Sequence, residues 1–294
     1  NQFEIVLRSL SPDDVLRIQS RIDHVATHGF PNYFDDQRFG SLGPSLEFVA
    51  AKWCLKNYER ALWLAVAEYN HHDDAAERTQ KQFLRDLWGQ WSECKQQLDR
   101  SHRRSIVTYL VDHPTNYRKA FALLNEGLRG IYLSAFQSAV WNRMASESMV
   151  ETPVAAALHL KIGDTDLPFS VQAASDGGIA ELPLPSARCK GISPKLRQLC
   201  DRSLGPYGMK LSEMKLSFPR DRWFSRGDRA TRIVPIDLQM TEADDDRYQN
   251  RCKVTLTLEL PRGCYATMLI KTLTGVAGDD TAESLNSTES EGTA

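Results

Sequence analysis

From Cys252 to Leu260 the chain alternates without a fault: Val254, Leu256, Leu258 and Leu260 point one way, Lys253, Thr255, Thr257 and Glu259 the other. A period of two with one apolar side predicts a half-buried strand, and so a sheet with one face covered and one face wet. The opposite end of the chain carries a matching signal. Phe3, Ile5 and Leu7 alternate within F-E-I-V-L and predict a strand. A helix should follow from Pro12: Ser11 is suited to cap it, Pro12 to its first position, and Asp13 and Asp14 to the positive end of its dipole. Val15, Ile18, Ile22 and Val25 then recur at helical spacing until His28-Gly29, where glycine can end the helix. Strands and helices together exclude an all-helical or all-β fold.

Between these ends the pattern is mostly helical. Gly29 to Gly43 reads as a loop. Ser45 to Asn70 predicts a helix burying Phe48, Val49, Trp53, Leu62 and Val66. Residues 71–104 read as polar helix followed by a turn, with His102-Arg103-Arg104 at the surface, and Asn116 to Leu128 as a further helix. Leu133, Phe136, Val140 and Met144 define an apolar stripe beyond Gly130. Prolines and glycines become frequent near Glu151, with extended runs expected over 157–162 and 169–172 and loop-rich structure to about Pro235. Tyr265 to Leu273 predicts a closing helix, and the Gly/Ser/Thr/Glu tail after Gly275 disorder.

Charge is distributed unevenly. The net charge of −2 includes five acids and no base after Gly275, which leaves the body at +3. From Ser186 to Arg232 there are 12 bases and 4 acids, and a polyanion would feel that local excess. Within it Arg220, Arg222, Arg226, Arg229 and Arg232 interleave with Phe218, Trp223 and Phe224. Arginine supplies sequence-independent affinity for phosphate, and the aromatics either stack on bases or anchor the segment. A solvated charged face is the plainer reading. Six cysteines without a C-x-x-C pair argue against a zinc ribbon and for reduced thiols in the cytoplasm. His71-His72-Asp73-Asp74 lacks a second ligand set and reads as a solvated helix end, so no metal is expected. No Walker loop, G-x-G-x-x-G or G-x-S-x-G is present, and no apolar run approaches the length of a membrane helix.

The most specific stretch is Gly29-Phe-Pro-Asn-Tyr-Phe-Asp-Asp-Gln-Arg-Phe-Gly40, a stiff loop with four aromatics and an Asn/Gln/Arg set able to hydrogen-bond. It closely resembles the G-x-P-N-Y-F-x-x-Q-R-F-G signature of TruD-type tRNA pseudouridine synthases. Three further stretches are similar to the family's elements and fall in the right order: Asn1-Gln2-Phe3 through Arg8, Tyr132-Leu-Ser-Ala-Phe-Gln-Ser-Ala-Val-Trp-Asn142, and Leu260-Pro-Arg-Gly-Cys-Tyr-Ala-Thr-Met268. The resemblance implies an α+β fold: a pseudouridine-synthase-type mixed sheet with helices, interrupted by a family-specific inserted α/β domain. Residues 1–28 and 235–275 would belong to the catalytic domain, 29–234 to the insert, and 276–294 to an acidic tail.

The reaction so implied is an isomerisation in tRNA. Uracil leaves its ribose, turns and is rejoined through carbon, without metal, nucleotide or redox cofactor. A monomer is expected, with tRNA as partner and no membrane contact. The target base must leave its stack, which gives Tyr265 a stacking role and makes Asn1 and Asn32 substrate-site residues. Gln37 and Arg38 would reach phosphate or hold the loop. The family's nucleophilic aspartate lies in a G-x-K-D-x-x-A-x-T-x-Q stretch that occurs nowhere in these 294 residues. Asp35 and Asp36 stand where the family varies and are not substitutes, so no catalytic residue is assigned. The chain, which opens on Asn1, reads as starting inside a longer protein. The alternative to the enzyme is a non-catalytic RNA-binding module, or a scaffold whose basic segment meets an acidic protein.

Overall fold

A computed structural model describes residues 1–149, 157–162, 165–170, 181–216 and 223–275. In chain order, β1 (Gln2–Leu10) leads into α1 (Pro12–His28) and the short β2 (Phe30–Pro31). Helices α2 (Val49–Cys54), α3 (Tyr58–Val66), α4 (Ala75–Asp86), α5 (Trp91–Gln97), α6 (His102–Asp112), α7 (Tyr117–Ala122) and α8 (Glu126–Met149) follow. Next come β3 (Ala157–Ile162), β4 (Thr165–Ser170), β5 (Glu181–Pro183) and α9 (Pro194–Leu204). The chain closes with β6 (Asp228–Ala230), β7 (Arg232–Ile233), β8 (Ile236–Asp244), β9 (Cys252–Glu259) and α10 (Ala266–Thr274).

These elements form two compact units. Unit 1 comprises Asn1–Asp36, Asn142–Leu182 and the chain from Asp228 onward; unit 2 comprises Gln37–Trp141 and Pro183–Gly227. The insert expected over 29–234 thus contributes residues at both its ends, and its middle stretch Asn142–Leu182, to unit 1.

Unit 1 is built on an antiparallel sheet of order β1-β9-β8. Its register sets Phe3 against Leu258, Ile5 against Leu256 and Leu7 against Val254, so the apolar sides of both predicted strands share one face. Helix α1 packs against this sheet and α10 packs against α1 and β2, burying Val15, Ile18 and Val25 from one and Met268, Leu269 and Leu273 from the other. Each such side chain contributes on the order of 1.5–3 kcal/mol by leaving water. Helix α1 opens with a capping box: Ser11 Oγ accepts from the Asp14 amide at 3.2 Å, and Asp14 Oδ2 accepts from the Ser11 amide at 2.9 Å. It closes at Gly29, whose φ of +75° suits glycine and whose missing Cβ leaves room for the Ile233 carbonyl, 2.4 Å from where that Cβ would stand.

Unit 2 is mainly helical. Phe48, Phe136 and Tyr207 meet at ring separations of 5.0–5.7 Å, while Trp53 packs edge-on against Phe121 at 4.8 Å. All five residues predicted buried between 45 and 70 are buried, but the helix is two helices. Lys56 adopts a left-handed φ of +61°, and Asn57 starts the second by accepting from the Arg60 amide at 3.2 Å. The helix predicted over 116–128 is likewise divided, with Asn125 Oδ1 accepting from Gly127 and Leu128 as α8 begins. Residues 71–104 hold α4, α5 and the start of α6 rather than one helix and a turn. Arg103 is not at the open surface but turned onto Glu77.

Candidate substrate loop

The Gly29–Gly40 stretch is fastened to unit 1 at five successive residues, Phe30 to Phe34. Phe30 and Pro31 pair antiparallel with Ile233 and Arg232. Asn32, 4% exposed, donates its backbone amide to Thr231 O and its Nδ2 to Ala230 O, both at 2.9 Å. Tyr33 is buried, with its hydroxyl donating to Pro168 O at 3.1 Å, and burial pushes that hydroxyl's pKa well above the ordinary tyrosine value. Phe34 has both backbone groups clasped by Asn142: its amide donates to Oδ1, and its carbonyl accepts from Nδ2, each at 2.8 Å.

Arg229 gathers this loop and the turn before α10. Its Nε donates to Asn32 O at 3.0 Å, Nη2 to Asn32 Oδ1 at 2.7 Å and Nη1 to Gly263 O at 2.9 Å. Its guanidinium carbon lies 4.1 Å from the centre of the Phe34 ring. Phe34 in turn meets Tyr265 edge-on, centroids 6.3 Å apart. Tyr265, half-buried, sits in extended backbone at the start of α10 and spends no side-chain hydrogen bond on the cap. The arrangement offers an aromatic pair held by charge-assisted hydrogen bonds, rigid before any ligand arrives.

Asp35 and Asp36 both accept from Lys271 Nζ on α10, at 2.7 and 2.5 Å. Burial disfavours the charged ammonium, yet the two carboxylates overcome it and raise the Lys271 pKa. With that partner, the two aspartates are a clamp between loop and helix.

The remaining predicted residues are dispersed. Asn1 is exposed and paired through its backbone to Leu260, with both hydrogen bonds at 2.9 Å. Gln37 is exposed and Arg38 partly so, and both belong to unit 2. Arg226 is exposed in unit 2, while Arg232 is partly buried in unit 1, where burial lowers its pKa. Arg220 and Arg222 lie outside the described residues, as does the acidic tail. Two residues that organise the loop went unassigned in the sequence reading. Asn142 closes one of the motifs quoted there; Lys271 has only the faint signal of a cation in an otherwise apolar helix.

No group of three metal-ligating side chains occurs among the described residues. In the His71–Asp74 stretch, Asp73 accepts from Lys81 at 2.8 and 2.9 Å, and Asp74 caps α4. All six cysteines are free, and burial pushes the Cys54 and Cys200 thiols up to about 12. No described helix is long and apolar enough to cross a membrane.

A one-sided sheet backed by helices, a tethered aromatic loop and a mainly helical second unit define an α+β protein. The family model for tRNA pseudouridine synthase D (TruD) matches residues 1–160. The chain belongs to the TruD family of tRNA pseudouridine synthases, isomerases that modify tRNA. Among its relatives, the tRNA pseudouridine synthase D of Leptospira interrogans is 28% identical over 93% of this chain and 69% of its own length. A Methanococcus maripaludis protein named "Probable tRNA pseudouridine synthase D 1" is 26% identical over 92% and 71% respectively. The fold matches a crystal structure from Methanosarcina mazei carrying the TruD name, with a TM-score of 0.67 at 21% identity over 94% of this chain and 69% of that one.

Proposed function

We propose that these 294 residues form the substrate-loop and RNA-contacting part of an enzyme that converts one specific uridine of tRNA to pseudouridine, with the nucleophilic aspartate supplied by residues outside them. The observation that carries this reading is the Arg229-centred lock. It fixes Asn32 and Phe34 and brings Phe34 against Tyr265 before any substrate binds, which removes an ordering cost from binding. Tyr265 takes the role of the platform on which the unstacked uridine rests, a contact typically worth about 1–3 kcal/mol per base. Asn32 and Asn1 contribute polar contacts around the substrate, and Gln37 and Arg38 reach tRNA phosphate. Arg220, Arg222, Arg226 and Arg232 meet RNA phosphates, and Arg229 acts through the loop it holds. The protein acts as a monomer in the cytoplasm on tRNA alone, without cofactor.

The test is an assay for pseudouridine in unmodified tRNA, run on this chain and on a form extended upstream in its own reading frame. The expected result is activity in the extended form alone, abolished when the aspartate of its K-D motif is changed to alanine. Inactivity of both forms with tRNA still bound in a salt-dependent way would replace this reading with that of a non-catalytic RNA-binding module.

A further inference from the structure

Unit 2 carries an aromatic group at its surface that nothing in the substrate loop explains. Trp223 is 48% exposed, although indole is among the costliest side chains to leave in water. Its neighbour Phe224 is buried and packs near Phe136, ring centres 6.5 Å apart. The chain therefore turns one aromatic inward and the next outward. Gln137 on α8 fixes that choice: its Nε2 donates to Ser225 O at 2.9 Å and to Pro185 O at 3.0 Å, and its Oε1 accepts from the Ser225 amide at 3.1 Å. A second tie joins the same two strips of chain, where the Leu184 amide donates to Gly227 O at 2.9 Å.

The strip around Ser186 is held as firmly. Ser186 is buried, Ala187 donates its amide to Met214 O at 3.0 Å, and the Arg188 amide reaches Ser186 Oγ at 3.3 Å. From this fixed backbone Arg188 extends over Trp223, its guanidinium carbon 3.4 Å from the ring centre. Asp201 and Glu213, acids of the same basic stretch, direct carboxylate oxygens to the amides of Leu211 and Lys210 at 2.7 and 2.8 Å, while Lys190 and Arg226 are exposed.

We propose that Trp223 and Arg188 form a second RNA-contacting site, distinct from the substrate loop, that stacks one unpaired base of the RNA and neutralises the adjoining phosphate. An exposed indole already backed by a guanidinium needs no rearrangement to receive a π-face. It would accept any of the four bases, since stacking does not depend on base identity. This inference rests on the RNA-binding reading of the chain.

The test is equilibrium binding of unmodified tRNA to the full 294-residue chain across a salt series. W223A should weaken binding by roughly 5- to 150-fold, the range for losing one stacked base, and W223F should recover most of it. R188Q should weaken binding and reduce the slope of log affinity against log salt by about one unit. Thermal midpoints report whether the alanine disturbs folding; if it does, W223F and R188Q decide. Wild-type affinity in W223A and R188Q, with salt-dependent binding of the parent chain intact, would overturn this site and leave the functional reading standing. A parent chain without salt-dependent tRNA affinity would overturn both.

Discussion

Arg229 makes three hydrogen bonds to the loop and the turn before α10 while lying against Phe34. Truncation to alanine leaves the Asn32 and Gly263 acceptors without their cation, and should cost about 2–4 kcal/mol of stability in denaturant titration. Lysine should restore only part of this, because an ammonium cannot reproduce the planar fork; equal stability of R229K and the parent would refute the bidentate account. The sequence marked Arg229 as one arginine of a basic stretch and Asn32 as a residue of a stiff loop, but nothing local joins two positions 197 residues apart. Asn142 illustrates the same limit. Its side chain fits the backbone of Phe34, 108 residues away, and a helical pattern records only that it faces inward.

At the scale of elements, α1 was legible almost to the residue because its signals are local: a capping pair, an N1 proline and a terminal glycine. The side-chain hydrogen bond from Ser11, joined by its backbone amide, holds the Asp14 carboxyl below its ordinary 3.8. A lowered folded pKa gives stability that is fully present above 3.8 and is lost as pH falls through the folded value. D14N should therefore cost about 1 kcal/mol at neutral pH, and the gap should shrink only in acid below 3.8. Denaturant titrations of both proteins down a pH series check this, and a gap already closing nearer neutrality would assign the stability elsewhere. The helix over 45–70 was legible in its buried face but not in its break. Asn57, which caps α3, lies within an apolar pattern that continues on both sides of it, and the left-handed turn at Lys56 has no side-chain signature.

At the scale of the whole molecule, the sheet of unit 1 was legible as two alternating strands, yet their pairing was not, since alternation names a face and not a partner. The pairing has kinetic consequences. The Gln2–Glu259 hydrogen bond spans 257 positions, whereas α2 and α3 of unit 2 are adjacent in sequence. Local contacts form faster than remote ones. In pulse-labelled hydrogen exchange during refolding, amides of α2 and α3 should gain protection before those of β1 and β9; simultaneous protection would show a single cooperative step. During synthesis the order is stricter. At about 5–20 residues per second, β1 and the apolar side of α1 emerge roughly 10–50 s before the strand that completes them. Throughout that interval the nascent chain displays a bare sheet edge and a greasy helix to the ribosome's surroundings. A chaperone that shelters such surfaces would find its client in β1 and α1, and would have to let go only when β9 and α10 have been made.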